Sequence, residues 1–174
     1  GIGHVVAPLG TAITEHHLTL LWRIADEPVI ALDGDAAGRG AALRAADLAL
    51  PLLEAGRSLR FALMPPGLDP DDLARREGAE GVQAKLDAAE PIVALLWRRE
   101  TEGRVFDSPE RRAALDARLK ALLGRISDPV VRGHYRAAFA DLRADLFAPR
   151  RRPAPRRGDG GARGGARGPD PRRV

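Results

Sequence analysis

Two carboxylates stand one residue apart in "VIALDGDAAGRG" (residues 29–40), where Asp33 and Asp35 close an apolar run and Arg39 follows among small residues. Anions that close repel each other unless a cation or hydrogen-bond donors compensate. A second acidic group, Asp69, Asp71 and Asp72 in "GLDPDD", follows another apolar run, and neither stretch contains a lysine. Carboxylates without imidazole or thiolate are hard oxygen donors, a set that suits Mg²⁺ or Mn²⁺ held together with water and substrate phosphates. Each piece also has an ordinary reading. "DGD" is a common turn composition, and Asp69 before Pro70 is a plain helix start with acids set against the dipole. Arg39 is either a solvated helix residue or a phosphate contact. His16, His17 and His134 read as surface residues, because no second ligand follows at metal-binding spacing on the same helix face. Leu18, Leu21 and Trp22 read as core, and the absence of cysteine removes thiolate chemistry altogether.

The acidic groups need elements to hold them. Three short apolar runs bounded by Gly, Pro and Asp read as strands: "HVVAPL" (4–9), "PVIALD" (28–33) and "LRFALMP" (59–65). Helices are expected between them over 15–26, with Thr14 as N-cap, and over 38–55, with Gly56 just past the C-terminus. Alternating strands and helices predict an α/β fold with a parallel sheet and right-handed crossovers. In such sheets ligands bind beyond the carboxyl ends of the strands. Asp33 ends the second expected strand and the Asp69 group follows the third, so both acidic groups are expected at one sheet edge. Further helices are expected over 79–88 and 90–102. Two longer ones then start at Ser108-Pro109 and Asp128-Pro129, each an N-cap followed by a proline at N1, and read as an antiparallel hairpin.

Charge is unevenly spread. Residues 148–174 hold nine arginines and two aspartates, whereas residues 1–147 hold 19 basic and 22 acidic side chains. The high isoelectric point therefore belongs to the tail and is no evidence of a basic DNA-binding face on the folded body. With almost no apolar side chains, the tail is expected to be disordered. No apolar run approaches a membrane span, and the N-terminus has no signal-peptide pattern. The expectation is a soluble cytoplasmic protein without membrane contact.

Over residues 1–90, three motifs in order ("LGTA" at 9–12, "DGDAAG" at 33–38 and "DPDD" at 69–72) resemble the Toprim region of bacterial replicative DNA primases of the DnaG type. Residues 91–147 resemble, less specifically, the helical subdomain that follows Toprim in those enzymes. The resemblance implies a parallel, Rossmann-like Toprim sheet (1–90), a helical subdomain (91–147) and a disordered Arg/Gly/Pro-rich linker or tail (148–174). It implies synthesis of short RNA primers on a single-stranded DNA template from nucleoside triphosphates, by two-metal nucleotidyl transfer. Asp33 and Asp35 match the family's catalytic metal-binding pair, and Asp69 and Asp71 its later acidic motif, with Mg²⁺ or Mn²⁺ as the cofactor.

Toprim enzymes also use a glutamate on an earlier strand, which the resemblance places before Gly1. The chain thus reads as the central part of a primase, inactive by itself. Its tail resembles the linker ahead of a helicase-binding domain, so the replicative helicase is an expected partner of the full-length protein. Two alternatives remain: a nucleic-acid tether acting through the arginine-glycine tail, and another Toprim phosphotransfer protein. A phosphatase of the haloacid dehalogenase class fits poorly. Ala36 and Ala37 follow Asp35 where that class needs a nearby threonine, and the only lysines are Lys85 and Lys120.

Overall fold

The computed structural model describes residues 4–7 and 12–148. Its sheet has three strands in the order β1 (Val29–Leu32), β2 (Arg60–Leu63) and β3 (Glu90–Pro91). β1 and β2 pair in parallel with Val29 opposite Arg60, whereas the two-residue β3 pairs antiparallel to β2. The sheet is therefore mixed rather than purely parallel. Sequence alone missed β3, because two residues carry no periodicity. Arg60 reveals its purpose: the guanidinium reaches across to the Ala89 carbonyl (Nε to O 3.0 Å) and fixes the chain where it turns into the next helix.

Helices cover the sheet on both faces. α1 (Glu15–Leu21), α2 (Ala36–Ala49) and α4 (Ile92–Thr101) pack with Ile30 and Phe61 into the larger core. α3 (Pro70–Asp87) lies against the other face, where Ala62 and Met64 meet Leu73 and Val82. β2 is thus buried on both faces, which is why "RFAL" is continuously apolar after its first residue. β1 is an edge strand, with Ile30 buried and Val29 and Ala31 exposed.

Several expected boundaries moved. Residues 4–7 form no strand, and Val5 and Val6 are 70% and 65% exposed; residues 8 and 9 of that expected strand lie outside the described residues. A β-rich run without a neighbouring strand has nothing to bond to, so composition alone could not make it one. α1 stops at Leu21 rather than 26. Thr14 caps it as expected, and His17 completes the cap by accepting the Thr14 amide on Nδ1 (3.3 Å), which gives one of the histidines a structural task. α2 starts two residues before the expected position and yields to a 3₁₀ turn at Leu50–Leu52, where Pro51 lacks the amide that would continue it. The helix start at Asp69-Pro70 and the helix expected at 79–88 belong to one element, α3, broken at Gly78 (φ 71°). The tail from 149 onward lies outside the described residues.

The helical hairpin, α5 (Pro109–Arg125) and α6 (Pro129–Phe147), begins at Ser108 and Asp128 as expected. Phe139 is its buried anchor, stacked on Trp97 of α4 at 6.5 Å, while Leu146 near the C-terminus of α6 is 43% exposed. Ion pairs join the hairpin to the sheet domain. Asp47 of α2 accepts from Arg99 (3.0 Å) and from Arg125 of α5. The buried Glu100 of α4 accepts from Arg99 (3.0 Å) and Arg118 of α5 (2.9 Å). Removing one member of a buried ionic group strands its partners at a cost of a few kcal/mol. Glu100→Ala is therefore expected to lower stability by about 2–3 kcal/mol in urea unfolding, with the loss concentrated in protection of α5 amides. A variant within about 0.5 kcal/mol of the parent, the range of ordinary surface substitutions, would mean that solvent screens the group.

Candidate metal-binding edge of the sheet

The loop after β1 and the loop after β2 are built as one unit. Met64 donates its amide to the Leu32 carbonyl (2.9 Å), extending the parallel pairing one residue past β2. The chain then turns over Pro65–Leu68, closed by the Leu68 amide on the Pro65 carbonyl (3.1 Å). Pro66 and Gly67 (φ 77°) occupy the two central positions, the pattern of a type II turn. Gly34 donates to the Leu68 carbonyl at 3.4 Å, one residue before Asp69. These contacts bring both acidic loops to the carboxyl end of β1 and β2, as expected.

Two glycines make that approach possible. A Cβ on Gly34 would lie 2.1 Å from the Met64 carbonyl oxygen and 2.3 Å from that of Pro65. A Cβ on Gly38 would lie 2.1 Å from the carbonyl oxygen of Asp33, so the first turn of α2 sits directly on the strand end. Gly34 thus serves the close approach of the protein's own backbone. Its φ is not positive, so the requirement is one of space and not of conformation.

The four predicted aspartates have different surroundings. Asp33 is exposed, and its carboxylate has no hydrogen bond or ion pair among the described residues. Asp35 is the N-cap of α2, with Oδ1 accepting the Gly38 amide at 2.7 Å. Asp69 caps α3 in the same way, accepting the Asp72 amide at 2.7 Å. Asp71 lies in the first turn of α3 and pairs with Arg75 (2.6 Å). No three acidic or imidazole side chains among the described residues are gathered closely enough to hold an ion. The edge therefore offers one unengaged carboxylate and two with a single oxygen committed to a helix cap, while Asp71 is tied to its own helix. That donor set is all oxygen and open to solvent. It fits a divalent ion that keeps most of its water and shares phosphate oxygens, and does not fit a closed protein cage. The N-termini of α2 and α3 and the exposed Arg39, which donates to the Gly34 carbonyl at 3.3 Å, supply positive potential beside it. They also partly answer the repulsion between Asp33 and Asp35.

The fold resembles that of a Toprim-type α/β protein: the Toprim domain family matches residues 1–63, which take in Asp33 and Asp35 and end before Asp69. Within that class the chain is homologous to the bacterial DNA primases of the DnaG type. It is 39% identical over 141 residues to the DNA primase of Rickettsia bellii and 38% identical over 136 residues to that of Escherichia coli K12. Those alignments cover 81% and 78% of this chain but only 24% and 23% of the relatives, so the chain spans about a quarter of their length.

Solved structures agree. The structure of a DnaG catalytic core superposes with a TM-score of 0.72 at 34% identity, over 80% of this chain and 45% of that one. A DnaG primase catalytic domain bound to single-stranded DNA gives 0.70 at 35% identity, over 76% and 43%. Residues 96–142 also match the family described as the DnaB-helicase binding domain of primase. The helicase-binding match thus falls on α4–α6, inside the segment read from sequence as the helical subdomain, and not beyond the arginine-rich tail. The signal available in the sequence was only the paired cap-proline starts, which report helices and not partners.

Capping and ion binding at Asp35 are tested separately by experiment. Asp35→Ala is expected to cost about 1 kcal/mol through loss of the cap, and to weaken Mn²⁺ binding. Asp35→Asn keeps an equally good cap and is expected to hold stability while losing the same affinity. Mn²⁺ titration followed by paramagnetic resonance, beside urea unfolding, reads both effects. Parent-like Mn²⁺ affinity in an Asp33→Asn/Asp35→Asn double variant would place the ion elsewhere.

Proposed function

We propose that this chain supplies the metal-holding part of a nucleotidyl-transfer site that makes RNA primers on single-stranded DNA, and that it does not polymerise alone. The observation that carries the reading is the carboxylate of Asp33, unengaged among the described residues at the carboxyl end of β1, in a chain whose fold resembles primase catalytic cores. The primer 3′-hydroxyl attacks the α-phosphate of an incoming nucleoside triphosphate, a new phosphodiester bond forms, and pyrophosphate leaves. Divalent ions at such a site activate the hydroxyl and neutralise charge on the leaving group. Asp33 and the uncommitted oxygens of Asp35 and Asp69 would hold Mg²⁺ or Mn²⁺. The amides at the start of α2 and α3 favour the negative charge of a triphosphate drawn to the edge, and Arg39 adds a cation beside it. Asp71 contributes only if its pair with Arg75 opens.

The helicase and single-stranded DNA are the partners this reading assigns. The helicase-binding match over α4–α6 supports the first, and the DNA-bound homologous core supports the second. Inactivity alone follows from alignment of the reacting groups. An error of about 1 Å can cost on the order of 100-fold in rate, and the matched residues make up only 45% of a solved core. Residues 1–147 carry more acidic than basic side chains, which gives little net electrostatic hold on a template.

Purified chain incubated with single-stranded DNA, the four ribonucleoside triphosphates and Mg²⁺ or Mn²⁺ is expected to yield no short RNA. Grafting residues 1–147 in place of the homologous segment of the E. coli primase is expected to give synthesis that depends on Asp33. Robust synthesis by the chain alone, lost in Asp33→Asn, would overturn the partial-site reading. A folded graft whose synthesis is indifferent to Asp33→Asn would overturn the metal assignment.

A further inference from the structure

Both family matches end before the arginine-glycine segment, at residues 63 and 142, and the nucleotidyl-transfer reading gives that segment no task. Residues 149–174 carry nine arginines, two aspartates and neither lysine nor an aromatic residue, a surplus of seven positive charges. The arginines fall at 150–152, 156–157, 163, 167 and 172–173, the middle two closing a repeated "GGAR". The body meets this segment at an arginine-aromatic corner. Phe147, the last residue of α6, meets Phe106 edge-on at 6.1 Å. The guanidinium of Arg112 lies over the Phe147 ring at 4.7 Å and that of Arg143 at 5.3 Å. Arg143 is neutralised by Asp116 (2.6 Å). Arg112 is exposed, and its guanidinium donates to the Phe106 carbonyl (3.1 Å). Neither Arg112 nor the exposed Arg104 has a carboxylate within ion-pairing distance among the described residues. Arg150 follows Phe147 by three residues, a chain length of at most about 11 Å.

We propose that this corner and residues 149–174 form one binding surface for the backbone of a single-stranded polynucleotide. The arginines from 150 to 173 neutralise successive phosphates, and Arg104 and Arg112 hold the strand where the segment leaves α6. A guanidinium backed by an aromatic ring keeps its outer face for an unstacked base and its N–H groups for phosphate oxygens. Glycines beside the arginines let the main chain come close to the phosphates. The sum of charges favours this division of labour, because residues 1–147 hold 19 basic and 22 acidic side chains. An anionic membrane fits less well. Surface-bound segments insert large apolar or aromatic side chains beside their charges, and Val174 is the one large aliphatic residue of 149–174. The choice of a polynucleotide rests in part on the primer-synthesis reading, but the test reads binding alone, so either can fail without the other.

The full chain is titrated into fluorescein-labelled oligothymidine and oligouridine of about 20 nucleotides, and anisotropy is followed as salt is raised. Single strands release about 0.7 counterion per neutralised phosphate, so seven surplus charges predict a fall of log affinity with log salt of slope about −5. In Arg150→Ser/Arg151→Ser/Arg152→Ser/Arg156→Ser/Arg157→Ser the slope is expected to shrink by about 3.5, with binding weakened at least tenfold. Arg104→Gln/Arg112→Gln is expected to shrink it by about 1.4 and to weaken binding severalfold. Arg76→Gln, an exposed change on α3, is expected to bind as the parent does, and circular dichroism of each variant reports its folding. Undetectable binding by the parent overturns the proposal, as does a slope indifferent to the five serines. Parent-like binding in Arg104→Gln/Arg112→Gln also overturns it, by removing the corner from the surface. Equal affinity for polyglutamate, for phosphatidylserine vesicles or for a duplex of the same length would make the attraction one of charge alone, which overturns it too. Tighter binding of oligouridine assigns the surface to RNA and tighter binding of oligothymidine to DNA; each supports the proposal.

Discussion

The contact on which the candidate site depends is backbone against backbone: Gly34 lying on the carbonyls of Met64 and Pro65. Parallel strands leave their connecting loops free to splay at the carboxyl end. Here the two loops are pressed together so tightly that not even a methyl group fits between them. The distance between the Asp33–Asp35 pair and Asp69 is set by that seam and by the turn over Pro65–Leu68 that follows it. Gly38 repeats the device one level up, seating α2 on the Asp33 carbonyl. A site that must place charges to a fraction of an ångström is better built from such hard contacts than from side chains with rotamer freedom.

A second constraint is that two of the acidic side chains are bound into the helices that follow them. Asp35 and Asp69 each spend one oxygen on a helix N-cap, an interaction worth about 1 kcal/mol. The cap locks the side chain and the helix dipole steadies its charge, so the acidic edge can exist without an ion. This also explains why, among the described residues, no three ligands close around a point. Carboxylates satisfied by backbone amides have no need to converge, and the remaining positions on an ion of the Mg²⁺ type would be left for water and phosphate oxygens.

The helical hairpin is neither a separate domain nor a passive appendage. Phe139 on Trp97 joins it to α4 through packing. Asp47 and Glu100 join it to α2 and α4 through charge, with Arg99, Arg118 and Arg125 supplying the cations. Ionic groups shared among three helices specify one orientation more strictly than apolar contact, which tolerates sliding, although they contribute less to stability than their number suggests.

Much was decided locally and was therefore legible in the sequence. Apolar runs "VIAL" and "RFAL" between turn residues, and Ser108-Pro109 and Asp128-Pro129 at helix starts, depend on neighbours a few residues away, so pattern alone locates β1, β2, α5 and α6. The placement of Asp33 and Asp69 beyond the ends of β1 and β2 was likewise readable, since each follows its strand directly in the chain. What pattern could not supply was anything that depends on a partner distant in the chain. "HVVAPL" has strand composition, yet residues 4–7 have no strand beside them. Glu90–Pro91 has none, yet becomes β3 because β2 offers an edge. Phe139 rather than Leu146 is the anchor because Trp97 lies opposite it. Only the folded chain decides that Asp33 stands free while Asp71 is held by Arg75, for side chains two or four residues apart are sorted by which backbone they meet. The spacing of carboxylates is a property of sequence; their availability is a property of the packing around Gly34.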